Sequence, residues 1–456
     1  MVTLCHRWDT VISASVRLMD IAAAQALVRF GLGRRGAEPP PVDPQGWLRS
    51  QVRGPDPGAG MPAPDLAVGM EALRTDREMR RENKGAAPGM PPGMSMSRDT
   101  YRGDALTLLN WGLVTPAPFR ERLVWFWMNH FTVSSRQSRV MSLIGPFVSG
   151  AIRPHVTGRF GDMLLAVVRH PAMLMYLNND VSVGPQSVAG RDGKRGLNEN
   201  LGRECLELHT VTPASGYTQA DVTNFARILT GWSIDWNAGE LGFKFRPRAH
   251  QPGPLPLMGR TFPPGEQGGI EALAFLADHP ATHRNLATKL ARHFVADDPP
   301  PDAVRQIEAV LRDTHGDLGA ASEALIGLQG AWQPGTKLRT PMEFAVAALR
   351  ALDVPAVSFP MLGALWMLGQ PLWAAPQPNG WPDRGIDWVA PEGMLRRIDF
   401  AYTLAGRFGS DGAPDELAVG SLGPLLRPAT LDAVRRAGSR RDAVALLLSS
   451  PEFQRR

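Results

Sequence analysis

Residues 197–232 read LNENLGRECLELHTVTPASGYTQADVTNFARILTGW, and this stretch decides the fold class because two helical patterns flank one polar turn. The first pattern covers residues 197–208. Each helical residue advances by about 100°, so Glu199, Arg203, Glu207, Asn200 and Glu204 share one arc of roughly 140°. Leu197, Leu201, Cys205 and Leu208 take the neighbouring arc, which makes the helix amphipathic. Glu199, Arg203 and Glu207 follow at i, i+4 and i+8, so Arg203 is placed to bridge both carboxylates. Three glutamates against one arginine leave the arc negative, and a second cation is required if it is buried. The second helix starts at Thr218, an N-cap with Asp221 three residues on. Val222, Phe225, Ala226 and Leu229 form its core stripe and Gly231 stops it. Arg227 lies off that stripe and is the expected counter-charge for the acidic arc.

Working outward, composition bounds the protein class. The chain has 456 residues, 43% hydrophobic and 20% charged, with a formal net charge of +5. These are the proportions of a soluble globular protein, and the length allows one large helical domain. The basic residues are mostly arginine, but no basic stripe with interleaved aromatics occurs, which argues against nucleic-acid binding. Cys5 and Cys205 make no disulfide framework. No run approaches the roughly 20 apolar residues of a membrane span. The apolar stretch 11–16 is too short for a signal peptide and is followed by Arg17 and Asp20, so cytoplasmic residence is the default expectation.

The rest of the chain repeats the helical theme. Residues 1–20 form an uninformative extension, and residues 21–456 are expected to be one large domain. Residues 21–30 read as a helix running into Gly31-Leu-Gly33-Arg-Arg-Gly36. That formal dinucleotide-binding match lacks the strand before and the helix after that the motif needs. Residues 66–84 read as a charged helix, and GAAPGMPPGMSMS, near residues 85–98, as a flexible linker. Residues 121–131 (ERLVWFWMNHF) are apolar nearly all round, which marks a central buried helix, so Asn129 and His130 need polar partners there. Helices follow at 160–170 and 172–177. Residues 242–246 (GFKFR) alternate and suggest a short strand. His250 sits in a Pro/Gly-rich loop. Residues 270–294 read as helical, with His279 before Pro280 a boundary residue. Residues 359–391 form a Pro/Trp-rich insertion, and helices resume to the end. The fold class is therefore predominantly all-α, with long Pro/Gly loops and at most a minor β-hairpin.

Several segments resemble the bacterial family named domain of unknown function 1800. They are residues 122–133 (RLVWFWMNHFTV), 170–177 around His170-Pro171 and Tyr176-Leu177, 199–209, Tyr217 to Val222, 226–232, Lys289-Leu-Ala-Arg-His-Phe294, Gly369-Gln-Pro-Leu372, Gly380-Trp-Pro382 and Ser450-Pro-Glu-Phe453. Two departures stand out. The turn after His209 is Thr-Val-Thr-Pro213 where the family continues Thr-Leu-Gly-Val, and Asn178 stands where the family carries an acidic residue. The resemblance implies a mainly helical fold and brings no activity. It also implies a partner resembling sulfatases and alkaline phosphatases.

Two functions are expected. The first is a helical accessory protein that engages such a hydrolase-like partner through the Trp-rich segment 366–388. The alternative is an enzyme acting on an anionic small substrate. It would use a buried cluster of His130, Glu199, Arg203, Glu204 and Arg227, joined by His209 and His250. Glu204-x-x-Glu207 has carboxylate spacing found at metal sites, but His209 lies about 140° from Glu204 on a regular helix, so other segments would have to complete a site. The metal set would be His130 and Glu204 with Glu207 or His250. A metal-free network is preferred, because arginines aimed at the same carboxylates oppose a second cation.

Overall fold

A computed structural model describes residues 19–82, 95–193, 195–236, 242–409 and 412–456. Helix dominates, as the sequence patterns require. The helices are α1 (Ile21–Gln25), α2 (Pro44–Arg53), α3 (Leu66–Glu82), α4 (Met96–Val114), α5 (Pro118–His130), α6 (Ile144–Phe147), α7 (Phe160–Arg169), α8 (Pro171–Tyr176), α9 (Asn200–Glu204) and α10 (Gln219–Ile228). They continue with α11 (Glu266–Ala277), α12 (Pro280–Phe294), α13 (Pro301–Asp313), α14 (Leu318–Gly327), α15 (Pro341–Ala351), α16 (Pro360–Met367), α17 (Pro391–Phe408), α18 (Pro414–Leu422), α19 (Pro428–Arg435) and α20 (Arg440–Ser449).

Two antiparallel hairpins hold the strands of the described residues, beside isolated bridges at Arg159↔Asp317 and Leu338↔Arg455. β1 (Trp232–Ile234) pairs with β2 (Phe243–Phe245) in the register Trp232↔Phe245. β3 (Leu255–Leu257) pairs with β4 (Arg260–Phe262), Leu255 facing Phe262. The strand expected near residues 242–246 is β2. Its partner β1 begins directly after Gly231, which takes φ +83° and whose Cβ would lie 2.8 Å from the Arg246 carbonyl. Only glycine tolerates both conditions at once.

Two helices organise the core. In α5 every residue but Met128 and Asn129 is buried, including Arg122 and His130. Helix α15 is buried along its whole length and begins with a reciprocal cap, Thr340 with Glu343. Their apolar side chains belong to a core that runs from Ala26 to Phe453. The box expected at Thr218 and Asp221 is present, and Asp221 also accepts from the Met258 amide at 2.6 Å. No helix among the described residues is long and apolar enough to cross a membrane.

Three boundaries differ from the sequence reading. The single helix expected over 197–208 is one α-turn, Asn200–Glu204, which widens into a π-turn over Cys205–His209. The helix expected over 21–30 widens the same way at Ala26–Phe30. A π-turn shifts the hydrogen-bond period, so periodicity alone misplaces the residues beyond it. The helix over 270–294 is two helices, with His279 capping the second through its ring Nδ1 to the Ala281 amide, 3.1 Å. Most of the expected linker lies outside the described residues, and its last residues start α4, whose N-cap is Ser95.

Candidate functional site

The acidic arc expected to organise a site is a partly exposed surface knot. Glu199 accepts from Arg203 (2.9 Å), Gln219 (3.0 Å) and the Thr223 hydroxyl (2.7 Å). The Thr223 hydrogen bond in particular holds its carboxyl below the usual range. Among the described residues Arg203 makes no ion pair with Glu207, and Arg227 makes none with any of the three glutamates. Arg227 contacts Asn224 Oδ1 at 3.4 Å, and its Nε lacks a hydrogen-bond partner. Glu204 is half-buried; burial and then Glu207 push its carboxyl up, while Arg203 opposes them.

His250 is a structural residue of the hairpin region. Its Nδ1 contacts the Thr230 carbonyl at 2.8 Å and its Nε2 accepts from the Gly265 amide at 2.7 Å. With both nitrogens occupied by backbone, it has none left for a metal or a substrate. His209 is buried; its ring is held near pKa 3 by burial and then by Lys289. No group of three or more His, Cys, Asp or Glu side chains that could hold a metal occurs among the described residues, so His130, Glu204, Glu207 and His250 do not assemble.

Of the five residues expected to be catalytic, His130 alone lines a cleft with aromatic and charged walls. That cleft, about 340 Å³, is built where α5, α12, the start of α15 and residues 370–387 meet. Trp125, Phe126, Trp373 and Trp381 supply its flat apolar walls, and Lys289, Arg292, His293 and Asp383 stand among its charged and titratable groups with Arg122, Glu343, Arg384 and Asp387. Four of the stretches that carry the family resemblance, distant in sequence, contribute to this one wall.

The local sequence explains the placement. Lys289, Arg292 and His293 stand at i, i+3 and i+4, so α12 presents them along one face. Asn129 holds the opposite loop: its Nδ2 donates to the Trp381 carbonyl at 2.9 Å, and its Oδ1 accepts from the Trp381 amide at 2.8 Å. Gly380 makes this approach possible, because a Cβ there would lie 2.5 Å from the Asn129 carbonyl oxygen.

Lys289 Nζ lies 3.1 Å from His130 Nδ1 and 3.3 Å from the Leu208 carbonyl. Lysine only donates, so His130 Nδ1 accepts and its Nε2–H donates to the His209 carbonyl at 3.2 Å. Burial, reinforced by Lys289, keeps His130 neutral. Burial and the neighbouring Arg292 bring Lys289 down to about 8.

A charged network forms part of the cleft wall and runs on behind it. Glu343 pairs with Arg122 and, at 3.1 Å, with Arg456 Nε. Burial raises the Glu343 carboxyl, but Arg456 and Arg122 outweigh it and hold the group well below the carboxylate range. His293 Nδ1 contacts Asp383 Oδ1 at 3.0 Å, while its Nε2 has no hydrogen-bond partner and lies 3.9 Å from Glu343. Lys337 pairs with Asp297 and donates to the Asp383 carbonyl at 2.6 Å.

Sequence reasoning missed Lys289, Arg292, His293, Glu343 and Asp383 as site residues. A signal existed for some of them. The i, i+3 cation pair lies beside the apolar stripe of Leu286, Leu290 and Phe294 on α12, and Glu343 caps a helix whose other charged residue is Arg350. Asp383, in a loop, carried none.

Comparison with known proteins finds no match among curated proteins and none among solved structures. The family described as Protein of unknown function (DUF1800) matches residues 25–455, and the chain belongs to that family.

Proposed function

We propose that the protein binds a small anionic molecule in the α5–α12 cleft, a carboxylate, sulfate or phosphate carried on a flat apolar body. The observation that carries this reading is a contrast among cations. Arg122, Lys337, Arg384 and Arg456 each have a carboxylate within ion-pair reach. Lys289 and Arg292, one helical turn apart on the cleft wall, have none among the described residues. A cation with no carboxylate within ion-pair reach, beside aromatic walls, is suited to an incoming anion. A lysine with pKa about 8, hydrogen-bonded to a neutral imidazole, also exchanges a proton near neutral pH. Acid–base chemistry at Lys289 and His130 is the enzymatic form of this proposal.

Calorimetric titration with benzoate, phenyl phosphate and uncharged benzamide tests it. Binding of the anions but not benzamide, lost in Lys289→Met and Arg292→Met, is the expected result. Equal binding of benzamide, or anion binding that survives both substitutions, refutes it.

A second reading rests on a different observation. Of the fifteen exposed large hydrophobic side chains among the described residues, eight fall between Phe359 and Tyr402, including Trp366 at 69% and Ile386 at 74% exposure. Arg396 Nη1 donates to the Met367 carbonyl at 3.0 Å and holds α17 against the end of α16, which brings Met367 and Leu395 into one region. Apolar surface of this kind favours a protein partner. The hydrolase-like partner implied by the resemblance, one similar to sulfatases and alkaline phosphatases, is the candidate. Trp373 is buried, so Trp366 is the better anchor of the Trp-rich segment.

A further inference from the structure

A second cavity, also about 340 Å³, lies between residues 56–64, α4 and residues 145–154. Its wall is chiefly apolar, with Leu108, Val148 and Trp373 among the lining side chains. Into this lining come three side chains that are each more than nine-tenths buried, Arg120, Arg153 and Trp373, at 6%, 7% and 8% exposure. Each keeps one donor without a hydrogen-bond partner: Arg120 Nε, Arg153 Nη1 and Trp373 Nε1. Buried donors are nearly always satisfied, so three unfilled ones around a single cavity mark a place for an acceptor. Trp373 also holds φ +52°, a conformation costly for a bulky residue and one that tends to persist at functional sites.

The charges say what kind of acceptor. Arg153 Nη2 donates to Glu121 Oε1 at 2.8 Å. Asp56 stands 3.6 Å from Arg153 Nη1 and 3.8 Å from Arg120 Nε, near enough to balance charge and too far to fill either donor. Two guanidiniums already face two carboxylates, so an added anion meets no net attraction. Asp104, on the same wall, has an Oδ2 without a partner, and burial raises its carboxyl to about 7. Ionised, it would repel an anion; protonated, it is one more donor.

We infer that this cavity is a second ligand site, which takes an uncharged molecule with an apolar body and a carbonyl oxygen. The volume suits a ligand of modest size: at ~30 Å³ per water-sized unit it holds on the order of ten such units. The carbonyl oxygen fills the arginine donors and the chain lies against Leu108 and Val148. Trp373 also lines the first cleft, so the two sites share a wall. The second site does not depend on the anion reading of the first cleft.

The test is calorimetric titration of the whole chain with octan-2-one and, separately, with octanoate at neutral pH. Ala63 is exposed and lines the cavity, so Ala63→Trp fills its mouth at little cost in stability; Thr107→Trp, on α4, does the same from the other side. The ketone is expected to bind saturably and more tightly than octanoate. Its affinity is expected to fall by about tenfold or more in either tryptophan variant, the loss of roughly one hydrogen bond's worth of binding or greater. Lys289→Met is expected to leave it unchanged. No saturable ketone binding, tighter binding of octanoate, or ketone binding unaffected by a folded mouth variant overturns the inference. Loss of the ketone in Lys289→Met also overturns it, by placing the ligand in the first cleft.

Discussion

Lys289 Nζ sits 3.1 Å from His130 Nδ1, and neither side chain has a carboxylate within ion-pair reach among the described residues. Partly buried, uncompensated positive charge is costly, and the cost is visible in the lysine pKa of about 8. The sign comes from linkage. Below about 8 the lysine is charged in both folded and unfolded chains, and the folded chain bears the full penalty. As pH rises from about 8 toward the unfolded value near 10.5 the folded chain sheds its proton first and the penalty disappears. Lys289→Met is therefore expected to stabilise the protein at pH 7, by at most about 3 kcal/mol. The gain should shrink as pH rises through that window, as read by urea unfolding at several pH values. Destabilisation at pH 7 contradicts this account of the lysine.

Anion binding should share the same titration. On the proposed reading Lys289 draws the anion only while protonated, so benzoate affinity is expected to weaken as pH rises past about 8. A pH-independent affinity between 6 and 10 would exclude Lys289 as the anchor.

Glu343 is the hub of the charged network, and its removal leaves Arg122 without an ion-pair partner among the described residues and Arg456 with Asp383 at 3.9 Å. Glu343→Gln is expected to cost about 3–5 kcal/mol, the usual result of breaking a buried pair from one side. Because its folded pKa is depressed, its contribution is present above the unfolded carboxylate pKa and is lost as pH falls through the folded value. The gap between wild type and Glu343→Gln in urea midpoint should thus be wide at pH 7 and narrow in acid.

The helical class, the Thr218–Asp221 cap and the buried helix bearing His130 are legible in the sequence because each rests on local rules: 3.6-residue periodicity, side-chain capping and an all-round apolar face. The cleft is not. Its wall joins residues 122–133 to residues 370–387, and no local rule predicts which distant segments meet. The acidic arc misleads for a related reason. Its spacing correctly indicates the Glu199–Arg203 pair, but spacing does not reveal burial, and the pair lies partly exposed. The π-turn at Cys205–His209 then breaks the helical wheel that positions His209.

Gly380 offers a test of how the loop is held. It adopts φ +79°, and a Cβ would meet Asn129 Oδ1 at 2.7 Å and Thr132 Oγ1 at 2.8 Å. Gly380→Ala is expected to cost about 2 kcal/mol or more and to release Trp381 from Asn129, which weakens anion binding in parallel. A variant with wild-type stability and affinity would show that the loop is not fixed by this contact.

The exposed apolar region is separable from the cleft. Trp366→Ser with Leu395→Ser should change stability by no more than about 0.5 kcal/mol, since both side chains are exposed. The pair is expected to abolish co-purification with a co-expressed sulfatase-like or alkaline-phosphatase-like partner. Retention of the partner by the double variant sinks the docking reading and leaves the cleft proposal untouched.

The proposed anion lies in the aromatic cleft against Lys289 and Arg292. Anomalous diffraction from crystals grown with 4-bromobenzoate tests it most directly, because bromine reports where the ring lies. The expected result is a bromine peak between Trp125 and Trp381, with the carboxylate within hydrogen-bond distance of Lys289 Nζ or the Arg292 guanidinium. A peak confined to another place on the protein, or a carboxylate turned away from both cations, would contradict it.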